Sequence, residues 1–474
     1  MGSSWSLKSA AVVARNGHGF PIPLARGNAV ELLPRARSRL GGKTWAAFLM
    51  LLYPLLILAP LATSAALNPT SDHSRTEEVG IGCAAVGLAI LALQFVITGR
   101  LPWVEAPFGL DVLLVFHRVM ALVATAALLA HPVLVASGEQ WPLLAGLRVP
   151  WYVWVGRVSL GFLLVQVLAS LSRRVVRLPY QQWRRLHNVF APTILTLGYI
   201  HVLAAGDDAD GGGRVVWSAL VALAFGCWLY GRVVRPQLLL QHGFRVIAVK
   251  LEAPHVWTLT LKAHPKRPFL FIPGQFQFLR LHGAEVSAEE HPFSIASSPA
   301  RSGWISVTIK ESGDFTAGIG RVRPGDAATV HGPFGRFSHT LHPGQGRLVF
   351  VAAGVGITPF MSMLRYMRDR RESQSVLLVY ASRSSADVIF GDELQAIEAG
   401  DVPMLKVIHV LSNASASWVG ETGRLDADRL ARLCGGVEGR AFYLCCPPPM
   451  AALARGLRRM GVHPSRVHAD QFGL

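Results

Sequence analysis

Six apolar stretches confined to the first half of the chain constrain it most, at roughly 45–67, 79–98, 111–137, 151–172, 184–205 and 215–234. Each is about 20 residues or longer, the length a helix needs to cross a bilayer core at ~1.5 Å per residue. A spanning segment must satisfy its backbone N–H and C=O groups internally, so these stretches are read as transmembrane helices in a lipid bilayer. Residues 240–474 hold nothing comparable. There, β-branched and aromatic runs alternate with Gly/Pro turns and a few helical patterns. The expected fold is therefore multidomain: a six-helix bundle, then a soluble half. Composition agrees, with 51% apolar and only 16% charged residues, against both a purely soluble enzyme and a disordered chain.

Lys plus Arg number 46 against 29 Asp plus Glu, a net charge of +17. Much of the excess sits where topology needs it. Residues 1–44 carry Lys8, Arg15, Arg26, Arg35, Arg37, Arg39 and Lys43 against Glu31 alone. The connector after the fourth stretch holds Arg173, Arg174, Arg177, Arg184 and Arg185, and the sixth stretch ends at Arg232 and Arg235. The opposite connectors hold Asp72, Glu77 and Glu78, then Asp207, Asp208 and Asp210. The positive-inside rule places the N-terminus, the Arg-rich connector and the soluble half in the cytoplasm, with no nucleic-acid partner. Ala62-Thr63-Ser64-Ala65-Ala66 resembles a signal-peptide cleavage site, but the charged region before it is too long, so 45–67 is read as a first transmembrane helix. The cysteines, Cys83, Cys227, Cys434, Cys445 and Cys446, show no CxxC or zinc spacing and no Fe–S signature.

The third stretch contains His117 and His131, and the fifth His187 and His201. Fourteen residues separate each pair, leaving the two side chains ~40° apart around a helix and about 21 Å apart along it. The two helices run in the same direction, so His117 lies level with His187 and His131 with His201. Two planar cofactors, each gripped from both sides, fit between them. A lone intramembrane histidine is commonly structural, hydrogen-bonded to a neighbouring helix. Four in matched pairs point instead to axial haem ligands, since neutral imidazole binds haem iron well. Two axial imidazoles leave no open iron position, which suits electron transfer. Arg118 either pairs with a haem propionate or snorkels to the interface.

In the soluble half, Phe244–Leu251, Val256–Lys262, Phe276–Leu281 and Trp304–Lys310 predict a small β-barrel over about 240–342. Within it lies His291-Pro292-Phe293-Ser294, where an aromatic followed by a hydroxyl at a strand end can stack on a flavin and hydrogen-bond its polar edge. Gly313-Asp314-Phe315-Thr316 reads as a turn opening a short helix, whose N–H groups can hold a pyrophosphate. Alone, either segment is equally a simple turn. From 345 an α/β unit follows. The buried-strand run Arg347–Ala353 leads into Gly354-Val355-Gly356-Ile357-Thr358-Pro359 and a helical stretch, Phe360–Arg368. Glycines there allow close approach of a dinucleotide, with Thr358 as N-cap and Pro359 at the first helical position. The next strand, Ser375–Tyr380, ends in Ala381-Ser382-Arg383, a hydroxyl and a guanidinium suited to the 2′-phosphate of NADPH or, failing that, a solvated loop. Strand Arg440–Leu444 ends in Cys445-Cys446 and three prolines, Pro447 to Pro449, at the rim where such sheets bind ligands.

Over about 45–474 the chain resembles the NADPH oxidase and ferric reductase superfamily. The resemblance implies a six-helix domain (45–236) holding two b-type haems, an FAD-binding barrel (240–342) and an NADPH-binding α/β domain (345–474), with 1–44 a basic cytoplasmic tail. His117, His131, His187 and His201 match the haem ligands, and His291-Pro292-Phe293-Ser294 the flavin motif. In that motif Phe293 resembles the stacking aromatic, Ser294 the residue near flavin N5, and His291 takes the position near the FAD phosphates. Gly313 to Thr316, with Phe315 among them, resembles the second FAD phosphate segment, and Gly354, Gly356, Thr358 and Pro359 the NADPH phosphate turn. Cys445 resembles the cysteine beside the nicotinamide, and Phe472 the terminal aromatic that covers the flavin. Two departures stand out: Cys446 replaces the family's usual Gly, and two residues follow Phe472.

The implied activity is transmembrane electron transfer, from cytoplasmic NADPH through FAD and the haems to an acceptor on the opposite face. Short outward connectors favour dioxygen, giving superoxide, over a ferric chelate or an extracytoplasmic partner protein. The acidic Asp207, Asp208 and Asp210 either attract cations or are simply solvated. A haem-binding sensor is the non-enzyme alternative, opposed by the intact flavin and nucleotide motifs.

Overall fold

A computed structural model of the protein describes residues 42–67, 74–137, 146–173, 175–205, 211–240, 243–263, 269–283, 286, 289–301, 303–446 and 450–470. It divides into a helical unit ending at Gln237 and a second unit from Leu238 onward. The helices are α1 (Lys43–Leu67), α2 (Arg75–Thr98), a short α3 (Pro102–Phe108), α4 (Leu110–Val135), α5 (Trp151–Ser172), α6 (Tyr180–Ala205) and α7 (Gly212–Leu229). A π-helical turn, Tyr230–Val234, continues α7 into Arg235–Leu240. All but α3 are long and apolar enough to span a membrane. The short α3 escapes prediction from sequence, because its seven residues fall between two long apolar runs.

Half of the span of α2 is buried, against 11% for α1, α5 and α6, so α2 is the hub. It packs on α1, α4 and α7, while α5 packs on α6. Its core is made of Leu88, Ile90 and Leu93 with Leu195 and Leu220. Glycines bring the backbones together, as a Cβ at Gly87 would lie 2.7 Å from Leu128 and one at Gly198 2.8 Å from Leu88. The outward faces show Leu51, Leu55, Val115 and Leu168 exposed, as lipid contact requires.

The second unit holds two sheets. The first comprises β1 (Phe244–Ala253), β2 (Val256–Lys262), β3 (Phe276–Leu281), β4 (His291–Ser294), β5 (Trp304–Lys310) and β6 (Ala327–Phe334). Its order is β4-β3-β6-β1-β2-β5, and every pairing is antiparallel. An Ile295–Val307 bridge joins its two ends into a barrel. Leu259, Leu261, Leu279, Ile305 and Val307 fill the interior. The strand β4 tolerates Pro292 because it lies at the end of the sheet order.

The second sheet comprises β7 (Arg347–Ala353), β8 (Ser375–Ser382), β9 (Met404–Leu411), β10 (Glu421–Thr422), β11 (Arg440–Cys445) and β12 (Val467–Ala469). It is parallel, in the order β10-β9-β8-β7-β11-β12. The helices α8 (Thr358–Arg370), α9 (Gly391–Glu398), α10 (Ala427–Leu433) and α11 (Met450–Arg459) connect it. The chain leaves β7 toward β8 on one side and returns to β11 on the other. The carboxyl ends of β7 and β11 therefore flank a switch point, where open α/β sheets bind ligands.

Helix α8 ties this sheet to the barrel. Arg301 holds Asp369 through two bonds of 3.0 and 2.9 Å, Ser362 donates to the Ser297 carbonyl at 2.7 Å, and Arg365 donates to the Ala296 carbonyl at 2.7 Å. Arg365 also grips Glu393. Burial works to raise the Glu393 pKa, but the Arg365 bond and the charges of Arg365, Arg368 and Lys250 outweigh it and hold the carboxylate ionised.

Candidate functional site

The histidines of α4 and α6 form two pairs. The ring centroids of His117 and His187 are 6.2 Å apart, and those of His131 and His201 are also 6.2 Å apart, with ring planes crossing at 77° and 70°. Three of the four rings are anchored at Nδ1. His117 meets Gln94 Oε1 at 2.7 Å, His131 the Gly80 carbonyl at 3.0 Å and His201 the Tyr152 carbonyl at 2.8 Å. A carbonyl oxygen only accepts, so each of these nitrogens carries the proton and Nε2 keeps its lone pair. The fourth, His187 Nδ1, is buried without a hydrogen-bond partner. Gly156 is required here, because a Cβ would lie 2.9 Å from His201 Nδ1 and push the imidazole off the Tyr152 carbonyl.

The pairs fit a haem on geometric grounds. A metal sits about 2 Å from an imidazole nitrogen, so two imidazoles on opposite sides of one ion have centroids about 6 Å apart, as both pairs do. Among the described residues no group of three or more His, Cys, Asp or Glu is placed to hold a metal. Paired histidines suffice only where a macrocycle supplies the remaining ligands. Arg118 is exposed.

In the barrel, the flavin-motif strand and the second candidate segment come together. The His291 ring stacks on Phe315 at 4.1 Å, and Phe315 lies 6.2 Å from Phe293. The Phe315 side chain is buried in the barrel core, so what it can offer a ligand is backbone. Thr316 Oγ1 accepts from Ser312 N at 2.7 Å and donates to the Gly313 carbonyl at 3.2 Å, locking the turn that precedes a 3₁₀ helix, Thr316–Arg321. Pro292 precedes the half-buried Phe293, and Ser294 Oγ is buried without a partner. An orphaned hydroxyl beside an aromatic face fits the polar edge of a flavin.

At the switch point, Gly354 adopts φ +52° and opens a 3₁₀ turn, Gly354–Ile357. A Cβ at Gly356 would lie 2.1 Å from the Cys445 carbonyl oxygen, so only glycine lets the turn lie against the end of β11. The expected N-cap at Thr358 is corrected. Thr358 is the first residue of α8, Ile357 stands before it in helical conformation with no side-chain cap, and the Thr358 hydroxyl donates to the Val355 carbonyl at 2.9 Å. The 3₁₀ turn occupies the place where a capping residue would have extended. Pro359 does occupy the first helical turn. Tyr380, the last residue of the strand expected at Ser375–Tyr380, donates to the Gly354 carbonyl at 3.1 Å and accepts from Ile389 N at 3.1 Å. Burial above all pushes its pKa up to about 12, so it stays a donor. Ser382 Oγ is buried at the end of β8, within reach of the Tyr380 hydroxyl and next in sequence to the exposed Arg383.

Cys445, the last residue of β11, and Cys446, the residue after it, face opposite sides of the sheet. Cys445 joins the core with Phe360 and Tyr443, and Cys446 the core with Met450 and Leu453. Cys446 thus fills the far core, away from the glycine turn. Burial pushes the Cys445 thiol well up and the Cys446 thiol to about 11. Phe472, Pro447 to Pro449, Asp72, Arg174, Asp207, Asp208, Asp210 and the tail before residue 42 lie outside the described residues.

Three family models match in the same order. "Ferric reductase like transmembrane component" covers residues 83–198, "FAD-binding domain" 241–324 and "Oxidoreductase NAD-binding domain" 350–456. The chain belongs to the ferric reductase and NADPH oxidase superfamily of membrane oxidoreductases, with a ferric reductase-like transmembrane domain fused to an FAD- and NAD-binding module. It is 31% identical over 240 residues to a glycine betaine monooxygenase reductase subunit of Pseudomonas aeruginosa, covering 49% of this chain and 64% of that one. It is 32% identical over 240 residues to ferredoxin–NADP reductase B of Sorangium cellulosum, covering 48% of this chain and 96% of that one. Among solved structures, an Amycolatopsis cytochrome P450 reductase matches with a TM-score of 0.44 at 23% identity, over 49% of this chain and 69% of that one.

Proposed function

We propose that the protein carries electrons from cytoplasmic NADPH across the membrane to dioxygen, giving superoxide, with domains at 45–236, 240–342 and 345–474. When bound, FAD supplies the exchange of a hydride for single electrons, and two b-type haems supply the transmembrane relay. The observation that carries the reading is the pair of matched 6.2 Å histidine separations on α4 and α6. His117 and His187 hold the cytoplasmic-side haem, and His131 and His201 the far one. Phe293 covers one flavin face, Ser294 meets its polar edge, and His291 with the Gly313, Phe315 and Thr316 backbone holds its phosphates. The turn through Gly354, Gly356, Thr358 and Pro359 holds the NADPH phosphates, Ser382 and Arg383 take the 2′-phosphate, and Cys445 borders the nicotinamide. Phe472 covers the flavin until nicotinamide arrives.

Short connectors between the α1–α2, α4–α5 and α6–α7 ends favour a small diffusible acceptor over a ferric chelate or a partner protein. Anaerobic addition of NADPH to purified protein should reduce both haems. Admitting dioxygen should reoxidise them with superoxide trapped in proportion to NADPH consumed. Haem reduction with no superoxide, and faster turnover with ferric chelates, would move the acceptor to iron. Bound haem that NADPH leaves oxidised would point to a sensor.

A further inference from the structure

We propose that Gln94 is the positioning residue for His117, and that its amide oxygen sets the reduction potential of the haem at the His117/His187 pair independently of the other haem. The proposal rests on the di-haem reading above.

Of the three imidazoles anchored at Nδ1, two use backbone carbonyls, Gly80 and Tyr152. Only His117 uses a side chain. Gln94 lies on the hub helix α2, 6% exposed, among the buried apolar residues Ile90, Leu93 and Ile97. A buried amide in such surroundings is costly unless both of its ends are bonded. Here they are. Nε2 donates to the Ile90 carbonyl one turn back at 3.3 Å, and Oε1 faces His117 Nδ1 at 2.7 Å. The first bond decides which end of the amide is which, because the Ile90 carbonyl accepts only the NH₂ end. The oxygen is thereby aimed at His117. The imidazole proton is held on Nδ1, and Nε2 is left as the iron-binding lone pair.

An acceptor on the outer nitrogen of a ligating imidazole raises the ligand's basicity. A more basic ligand favours ferric over ferrous iron, so the Gln94 bond lowers the potential of this haem. His131 sits fourteen residues further along α4, about 21 Å along the helix axis, and has its own acceptor, so Gln94 leaves that haem unaffected. A side-chain acceptor differs from a carbonyl acceptor in being open to substitution, which makes the cytoplasmic-side potential tunable by one residue.

The test is a spectroelectrochemical titration of the full-length, haem-loaded protein in detergent, comparing wild type with Gln94→Leu, Gln94→Met and Gln94→Glu. Gln94→Leu and Gln94→Met should keep two haems and raise one midpoint by about tenfold in its reduction equilibrium, the scale of one hydrogen bond and about 59 mV for a one-electron couple. The second midpoint should stay put. The moving haem should be the one that His131→Ala retains. Gln94→Glu, a stronger acceptor, should shift the same haem the opposite way. Low-spin electron paramagnetic resonance should show one altered haem signal and one unaltered. Two retained haems with both midpoints unmoved, or both moved equally, would overturn the proposal while leaving the di-haem reading intact. Wild-type protein that binds no haem under reconstitution would overturn the di-haem reading itself, and this proposal with it.

Discussion

Replacing Gly356 with Ala tests the nucleotide turn by a collision whose size is set by the backbone. The added Cβ would stand 2.1 Å from the Cys445 carbonyl oxygen and 3.1 Å from its carbonyl carbon. The oxygen cannot retreat cheaply, because β11 is paired on both sides, Cys445 with Ala352 of β7 and Leu444 with Ala469 of β12. The turn must lift instead. Overpacking of this kind costs about 1–3 kcal/mol of stability. The same displacement pulls the N–H groups of the turn away from a bound phosphate, and losing one charge-assisted hydrogen bond is worth about 1.5–3 kcal/mol, or roughly ten- to a hundredfold in nucleotide affinity. The control is Gly354→Asn. Gly354 has φ +52° and open space around a Cβ, and Asn tolerates that conformation, so its melting temperature should stay near wild type and it serves as the control for stability alone. Stopped-flow flavin reduction at varied NADPH gives the affinity, and a thermal melt gives the stability. A Gly356→Ala protein that melts lower but binds NADPH normally would show that the turn is structural only. Wild-type values for both would refute the collision itself.

Three further outcomes are expected. His131→Ala or His201→Ala should remove one haem and spare the other, as read by pyridine haemochrome content per flavin. Arg383→Ala should raise the KM for NADPH about ten- to a hundredfold and leave NADH nearly unchanged, since only NADPH carries the 2′-phosphate that a guanidinium pairs with. Burial raises both thiol pKa values at the end of β11, Cys446 to about 11, so both remain protonated at pH 8. Alkylation by iodoacetamide there should be far slower in the folded protein than in urea, as mass spectrometry of the tryptic peptides would show.

What the sequence revealed and what it hid follow from how far apart the interacting groups lie along the chain. The six spans and the strands Val256–Lys262, Phe276–Leu281, Trp304–Lys310 and Arg347–Ala353 were legible because hydropathy and β-branching are local properties. The histidine pairs were legible because fourteen residues bring two side chains to one helix face. The strand Ala327–Phe334 was hidden because Gly332-Pro333, within it, reads as a turn. The groups that aim the candidate site residues were hidden for another reason. Gln94 meets His117 across 23 positions, Tyr380 meets Gly354 across 26, and the Tyr152 carbonyl meets His201 across 49. Nothing local marks these residues, since Gln94 looks like an isolated polar residue in an apolar span and Tyr380 like a strand aromatic. Their roles arise only when helices and strands pack closely enough to need them. Glycine shows the same coupling from the other side. Gly156 and Gly356 look like interchangeable small residues, yet each is the absent side chain that lets a functional group reach its place. Reading a site of this kind from sequence therefore yields the residues that touch cofactors before it yields those that orient them, because ligand chemistry restricts residue type and orientation restricts only what packs nearby.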